Sequence, residues 1–169
     1  MHDGEKISTF CSYIMRIGDR VRKTFRDSKY KDRWPARKMA LNEAGALALL
    51  HRRKGVQQFE KIVDNTVVSE YAGHRLRKTD MSYEHAMKQG MAIVDVLQAC
   101  KVVHRDIRPE NLVCKHSQIT LIDFQWACYS GCIFSGLDDA PREMGGKYRS
   151  MVGINDRHSM EMAIREIYK

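Results

Sequence analysis

The chain has 169 residues, 43% of them hydrophobic and 30% charged, with a net charge of +8. This supports a real core in one domain or one small two-part unit. Every apolar run is too short to span a bilayer. The opening Met-His-Asp-Gly-Glu-Lys lacks the basic and then apolar pattern of a secretory signal. A cytoplasmic protein is expected, with delivery into a host cell by a signal-independent route as the alternative.

Five cysteines, an odd number with no Cys-x-x-Cys, point to reduced thiols and not to a disulfide framework. Cys128 and Cys132 could form a redox pair or half a metal site, but no nearby His/Cys pair completes the latter. The charge is uneven. Residues 1–80 hold 18 of the 29 Lys/Arg and 10 of the 21 Asp/Glu, leaving 11 of each for residues 81–169. The basic half is either a solvated surface or a docking face for something acidic, such as a protein partner or a phosphoglycan. Nucleic acid is not an expected partner, since no helix-turn-helix, zinc-finger or RNA-binding aromatic signature accompanies the charge.

In chain order, Ile14 to Phe25 alternates as two strands joined at Gly18-Asp19. Residues 36–51 follow as a helix, with Pro35 in its first turn and Ala40, Leu41, Ala44, Leu47 and Ala48 at helical spacing. Phe59 to Val63 and Thr66 to Glu70 read as two more strands around an Asp64-Asn65 turn. The pattern divides near residue 72. A long helix from about Ser82 to Cys100 buries Ala86, Met87, Ile93, Val94 and Leu97. Short strands are expected near Leu112-Val113 and Ile119-Ile122, then a loop-rich stretch, then a helix capped by Asp156. There is no internal repeat and no low-complexity tract.

The chemistry concentrates in His-Arg-Asp-Ile-Arg-Pro-Glu-Asn (104–111) and Leu-Ile-Asp-Phe (121–124). Asp106 and Asn111 lie five residues apart, and Asp123 ends an apolar strand. Hard oxygen ligands of this kind suit Mg²⁺. Upstream, Lys23 shares a strand face with Val21 and Phe25, and a lysine on an apolar face needs a partner. Glu43 stands beside the apolar stripe of its helix, in line with Leu47 and Leu50. Lys23–Glu43 is the candidate ion pair, with Lys29 or Lys31 as register alternatives to Lys23.

The segment 103–127 resembles the catalytic loop and magnesium loop of protein kinases. The resemblance implies an α+β, bilobed fold. The N-lobe (residues 1–72) would be a small antiparallel sheet with one helix, and residues 73–169 a reduced, mostly helical C-lobe. It implies ATP and Mg²⁺ as cofactors. Asp106 would then orient the acceptor hydroxyl, Asn111 and Asp123 hold the metal, and Arg108 neutralise the transferred phosphoryl group. Lys23 would clamp the ATP phosphates, with Glu43 holding it in place. Residues 67–73 would be the hinge, with backbone groups at Glu70 and Ala72 on the adenine edge, Ser69 a small gatekeeper before a back pocket, and Val21 and Val113 enclosing the base. Asp156-Arg-His-Ser159 resembles the start of the helix that anchors the catalytic loop. Ala140-Pro141-Arg142-Glu143 resembles the Ala-Pro-Glu that closes an activation segment holding Tyr129, Ser130 and Ser135.

Three departures stand out. No Gly-x-Gly-x-x-Gly precedes Lys23, so Ser8-Thr9-Phe10-Cys11-Ser12 would have to cover the phosphates with hydroxyls and amides. Gln125 replaces the Gly of Asp-Phe-Gly, which is expected to hold one backbone conformation. The chain is expected to stop inside or just after the helix that begins at Asp156, where full-sized kinases continue. Three functions remain open: a reduced Ser/Thr protein kinase, a kinase for a lipopolysaccharide or other polysaccharide sugar, and a pseudokinase acting as a binding module.

Overall fold

The structure is a computed structural model that describes residues 4, 6–9, 11–27, 34–129 and 155–169. Its first half is a five-stranded antiparallel sheet crossed by one helix. The strands are β1 (Lys6–Ser8), β2 (Ser12–Ile17), β3 (Arg20–Phe25), β4 (Phe59–Val63) and β5 (Thr66–Glu70), in the order β1-β2-β3-β5-β4. The second half holds a three-stranded sheet of β6 (His74–Arg75), β7 (Leu112–Lys115) and β8 (Gln118–Leu121). Helices α2 (Tyr83–Ala99) and α3 (Asp156–Ile167) accompany it. The fold is α+β and bilobed. Among the described residues no helix is long and apolar enough to cross a membrane.

Strand β3 is central and presents Lys23 and Phe25 on its buried face. Opposite them, Lys23 pairs with Val67 and Val21 with Ser69, so these residues share one side of the sheet. Helix α1 (Ala36–Leu49) packs on that side. Its first amide, Ala36 N–H, donates to Asp27 Oδ1 at 2.9 Å, which caps the helix from outside, since its N-cap, Pro35, makes no side-chain cap. The buried stripe runs through Met39, Ala40, Asn42, Glu43, Ala44, Leu47 and Leu50. Leu41 and Ala48, expected on that stripe, face outward. The polar Asn42 and Glu43 take the inner positions instead, because Lys23 and the segment after Asp123 supply them with partners.

The two halves meet through backbone. Gln57 N–H donates to Leu121 O at 3.1 Å, and Leu121 N–H to Gly55 O at 2.9 Å. Gly73 follows β5 with φ 119°, and a Cβ there would lie 2.0 Å from Cys114 O. Glycine is required at that close approach. The short strands β1 and β6 were not apparent in the sequence, being only three and two residues long.

Helix α2 is capped by Ser82, whose hydroxyl accepts from His85 N–H at 3.2 Å. It buries Ala86, Gly90, Ile93, Val94 and Leu97, while Met87 is half-buried. Helix α3 lies against α2 at Gly90, where an added Cβ would sit 2.5 Å from Ile164 Cδ1 and 3.0 Å from Met160 Cγ. Its N-cap is Asn155, which accepts from His158 N–H at 3.1 Å. Asp156, the expected cap, is turned elsewhere.

Gly90→Ala is expected to destabilise the protein by about 1–3 kcal/mol through overpacking, although Ala is the better helix former by about 1 kcal/mol. Urea unfolding of the two proteins checks the sign.

Candidate functional site

The site is built around one buried cation. Lys23 Nζ donates to Glu43 Oε2 at 2.7 Å and to Asp123 Oδ1 at 2.6 Å. Lys23 comes from β3, Glu43 from α1, and Asp123 from just after β8. The lysine and the glutamate are buried, whereas the Asp123 side chain is 29% exposed and open on one side. Burial alone would lower the Lys23 pKa, but Asp123 and Glu43 outweigh it and hold the ammonium above the ordinary lysine range. Burial pushes the Glu43 carboxyl up, and Lys23 offsets this only partly because Asp123 adds a like charge nearby. Burial also acts to raise Asp123. The charge and hydrogen bond of Lys23, with His104 and Arg108 behind them, hold it below the usual carboxylate range.

Below this cluster lies the loop 104–111. Asn111 Nδ2 donates to Asp106 O at 2.8 Å and to Asp106 Oδ2 at 3.3 Å. No hydrogen bond to Asn111 Oδ1 occurs among the described residues, which leaves that oxygen available to a cation. The ring of His104 bridges two loops. Its Nδ1 accepts from Asp106 N–H at 3.2 Å, and its Nε2 lies 3.0 Å from Ile122 O. A carbonyl there requires the proton on Nε2. The ring also stands edge-on to Phe124, with centroids 4.5 Å apart.

Two of the site's residues have positive φ, Arg105 at φ 73° and Asp123 at φ 69°. Such backbone is costly for non-glycine residues and persists when surroundings over-determine it. Asp156 supplies one such restraint. Its carboxylate accepts His104 N–H at 2.6 Å and Arg105 N–H at 3.1 Å. Asp156 therefore anchors the loop directly, in place of capping its own helix.

The loop after Asp123 is fastened to the upper half by Asn42, which the sequence did not flag, and by Tyr129 and Gln125, which it did. Asn42, one position before Glu43, donates from Nδ2 to Gln125 O at 3.0 Å and to Ala127 O at 2.9 Å. Tyr129 donates its phenol proton to Asn42 O at 3.2 Å, in the notch left by Gly45 on α1. Gln125 Oε1 accepts from Cys11 Sγ at 3.7 Å. The residue in place of glycine thus ties the loop to the turn between β1 and β2. Burial pushes the Cys11 thiol up, so it stays protonated as a donor. In that turn Thr9 Oγ1 lies 2.8 Å from Ser12 Oγ and accepts from Ser12 N–H at 3.1 Å. Of the hydroxyls expected to cover phosphates, Thr9 and Ser12 are bonded to each other and Ser8 accepts from Arg26 Nη2 at 3.0 Å.

At the segment expected to be the hinge, Glu70 N–H donates to Gln58 O at 3.0 Å and Tyr71 N–H to Asp19 O at 2.7 Å. Ala72 and Val21 are half-buried, and Val113 is buried on β7. The space expected behind Ser69 is occupied. Gln57 is buried there and donates from Nε2 to Ser69 Oγ at 2.8 Å. Arg108 is partly exposed and pairs through Nε with Glu110 Oε2 at 3.0 Å. Lys29, Lys31, Phe10, Ser130, Cys132, Ser135 and residues 140–143 lie outside the described residues.

Among the described residues no group of three or more His, Cys, Asp and Glu side chains is placed to hold a metal by itself. A magnesium ion carried by nucleotide phosphates needs only one or two protein oxygens, and the open side of Asp123 and Asn111 Oδ1 fit that demand.

No known family model matches the chain. It is similar to an Aurora kinase of Encephalitozoon cuniculi (strain GB-M1), with 40% identity over 45 residues, or 26% of this chain and 16% of that protein. The likeness is local and points toward kinases as a class.

Lys23→Met would leave two carboxylates facing each other without their cation, a loss of about 3–5 kcal/mol at neutral pH for breaking a buried pair. In the native protein Lys23, with its raised pKa, contributes fully below the ordinary lysine range and is lost only in alkali above its folded value. Asp123, with its lowered pKa, contributes above the carboxylate range and fades as acid protonates it. In the variant both carboxyl pKa values rise, so protonation on folding recovers stability as pH falls from 7 to 5. Denaturant titrations of both proteins at each pH should show a shrinking difference. An equal difference at both would mean the carboxylates do not depend on Lys23.

Proposed function

We propose that this chain is an ATP-dependent phosphotransferase that moves the γ-phosphoryl group of Mg-ATP to a Ser/Thr hydroxyl. The observation that carries the reading is Lys23 held between Glu43 at 2.7 Å and Asp123 at 2.6 Å, above a loop in which Asn111 holds Asp106. Phosphoryl transfer is governed by positioning and electrostatics, and this arrangement supplies both. Mg-ATP, when bound, brings the phosphoryl group and a divalent charge on its phosphates. Asn111 and Asp123 would hold the metal. Lys23, fixed by Glu43, would clamp the phosphates, and Val21, Val113 and the backbone of Glu70 and Ala72 would enclose the adenine.

Asp106 would orient the acceptor hydroxyl and take its proton. The acceptor oxygen forms the new bond to phosphorus, the bond to the β-phosphate oxygen breaks, and ADP leaves. Arg108 would neutralise the moving phosphoryl group once released from Glu110. A planar guanidinium can contact two of its oxygens.

A second reading, a binding module without catalysis, is favoured by the Cys11–Gln125 contact and by the Thr9–Ser12 bonds that occupy the lid hydroxyls. One experiment separates the two. Incubation with γ-labelled ATP and Mg²⁺ should label the protein or an added substrate, and Asp106→Ala should cut transfer by about 10²-fold or more while keeping the thermal shift with Mg-ATP. Absence of both label and thermal shift in the unaltered protein would sink the phosphotransferase reading.

A further inference from the structure

One turn of α1 meets the segment around Asp123 at three places. Glu43 shares Lys23 with Asp123. Asn42 Nδ2 donates to Gln125 O at 3.0 Å and to Ala127 O at 2.9 Å. Gly45 leaves a notch for Tyr129, whose phenol donates to Asn42 O at 3.2 Å. A Cβ at position 45 would overlap the phenol oxygen and lie 3.0 Å from Cζ, so the ring seats there only because residue 45 has no side chain.

Packing does not explain Asn42. The residue is fully buried, and its Oδ1 accepts no hydrogen bond among the described residues. A buried acceptor without a donor is costly, and an apolar residue on this inner face would avoid the cost. What Asn42 adds is its two donors. The helix and the loop also have other supports. Met39, Leu47 and Leu50 keep α1 in the core. Below, Val103 and Cys128 exchange backbone hydrogen bonds at 2.9 and 2.8 Å, and Phe124 is buried against His104. Helix and loop are thus each anchored separately, and the contacts of Asn42 and Tyr129 set one against the other.

We propose that Asn42, with Tyr129 seated at Gly45, is a latch that aims Asp123 at the metal: a positioning residue that touches neither nucleotide nor acceptor. The proposal rests on the phosphotransferase reading and deepens it. Gln125 and Ala127 lie two and four residues after Asp123, whose backbone stands at φ 69°. Without the latch their carbonyls lose their donors, the segment slides along α1, and the open oxygen of Asp123 loses its aim while Glu43 keeps Lys23. Removing a group that orients a metal ligand costs about 10–100-fold in metal affinity or activity.

The latch carries its own reporter. Trp126, between the two residues whose carbonyls Asn42 holds, stands edge-on to Trp34 with centroids 5.5 Å apart. These are the chain's two tryptophans, so intrinsic fluorescence reads the latch without any turnover.

Asn42→Leu keeps the bulk of the side chain and removes its donors. Its emission should move to longer wavelength and be quenched more readily by acrylamide, with the far-UV circular dichroism unchanged. With labelled ATP, the free Mg²⁺ giving half-maximal rate should rise by about tenfold or more. Tyr129→Phe loses one hydrogen bond and keeps the ring. It should raise that concentration about threefold, and it carries the test if Asn42→Leu does not fold. Gly45→Ala should raise it too, yet add nothing in Tyr129→Ala, where the notch is empty. A merely structural role would lower the rate through the folded fraction and leave the Mg²⁺ dependence native. Native Mg²⁺ dependence in the folded variants, or native emission in folded Asn42→Leu, would overturn the proposal. Shifted emission in Asn42→Leu, with no transfer even by the unaltered protein, would sink the phosphotransferase reading and leave the latch. Transfer with shifted emission but native Mg²⁺ dependence would keep the phosphotransferase and remove the positioning role.

Discussion

A lysine ammonium cannot be buried without partners, and Lys23 has two, at 2.7 Å and 2.6 Å, drawn from segments 20 and 100 residues away. Much of the architecture follows from meeting that requirement. Strand β3 must turn Lys23 inward. Helix α1 must place a carboxylate on its inner face, where an apolar residue would otherwise sit. The chain after β8 must bring Asp123 up to the same point, in a left-handed backbone. If Lys23 moved away, two carboxylates would be left without their cation, a cost of several kcal/mol, and if either carboxylate left, Lys23 would lose one of its two charge-assisted bonds. The cluster therefore fixes the upper sheet, the helix and the lower loop relative to one another.

The remaining contacts distribute that constraint. Asn42 stands next to Glu43 in sequence and holds two carbonyls of the loop that follows Asp123. One turn of helix thus binds both the side chain and the backbone of that loop. Below, His104 connects the Asp106 amide to the Ile122 carbonyl, so the segments carrying Asp106 and Asp123 are joined through one ring. Asp156 then fixes the other end, accepting two amides of the loop at His104 and Arg105. Charge-assisted bonds of this kind are about twice as strong as neutral ones. They are a physical reason why Arg105 can stay at positive φ.

Much of this was legible in the sequence because it was written in short periods. Alternation placed Lys23 inward, and helical spacing placed Glu43 beside Leu47 and Leu50. The turns at Gly18-Asp19 and Asp64-Asn65 fell where the strands reverse. The failures have different causes. Leu41 and Ala48 belong to an apolar pattern wide enough to fit two rotations of α1, and only the polar partners of Asn42 and Glu43 choose between them. Asp156 looks like a cap because aspartate caps helices, yet Asn155 does that locally and frees Asp156 for a contact 52 residues away. Gln57, Asn42 and the Cys11–Gln125 contact carry no periodic signal. Their partners lie 12, 83 and 114 residues off, and only the folded chain brings them together.

The unequal strength of these links shapes how the site can open. The Lys23 cluster is ionic, short and buried. The contact that closes the β1–β2 turn over the lower loop is a thiol to a carboxamide at 3.7 Å, and a thiol is a weak donor. The turn itself is closed within four residues by Thr9 and Ser12, and Arg26 holds it from behind, donating its amide to Cys11 O at 2.8 Å and Nη2 to Thr9 O at 2.7 Å and Ser8 Oγ at 3.0 Å. The Cys11–Gln125 contact is thus a weaker link than the cluster beneath it. Gln125 in place of glycine has two consequences that pull apart: it removes backbone freedom from the loop after Asp123, and it gives that loop a releasable hold on the turn above.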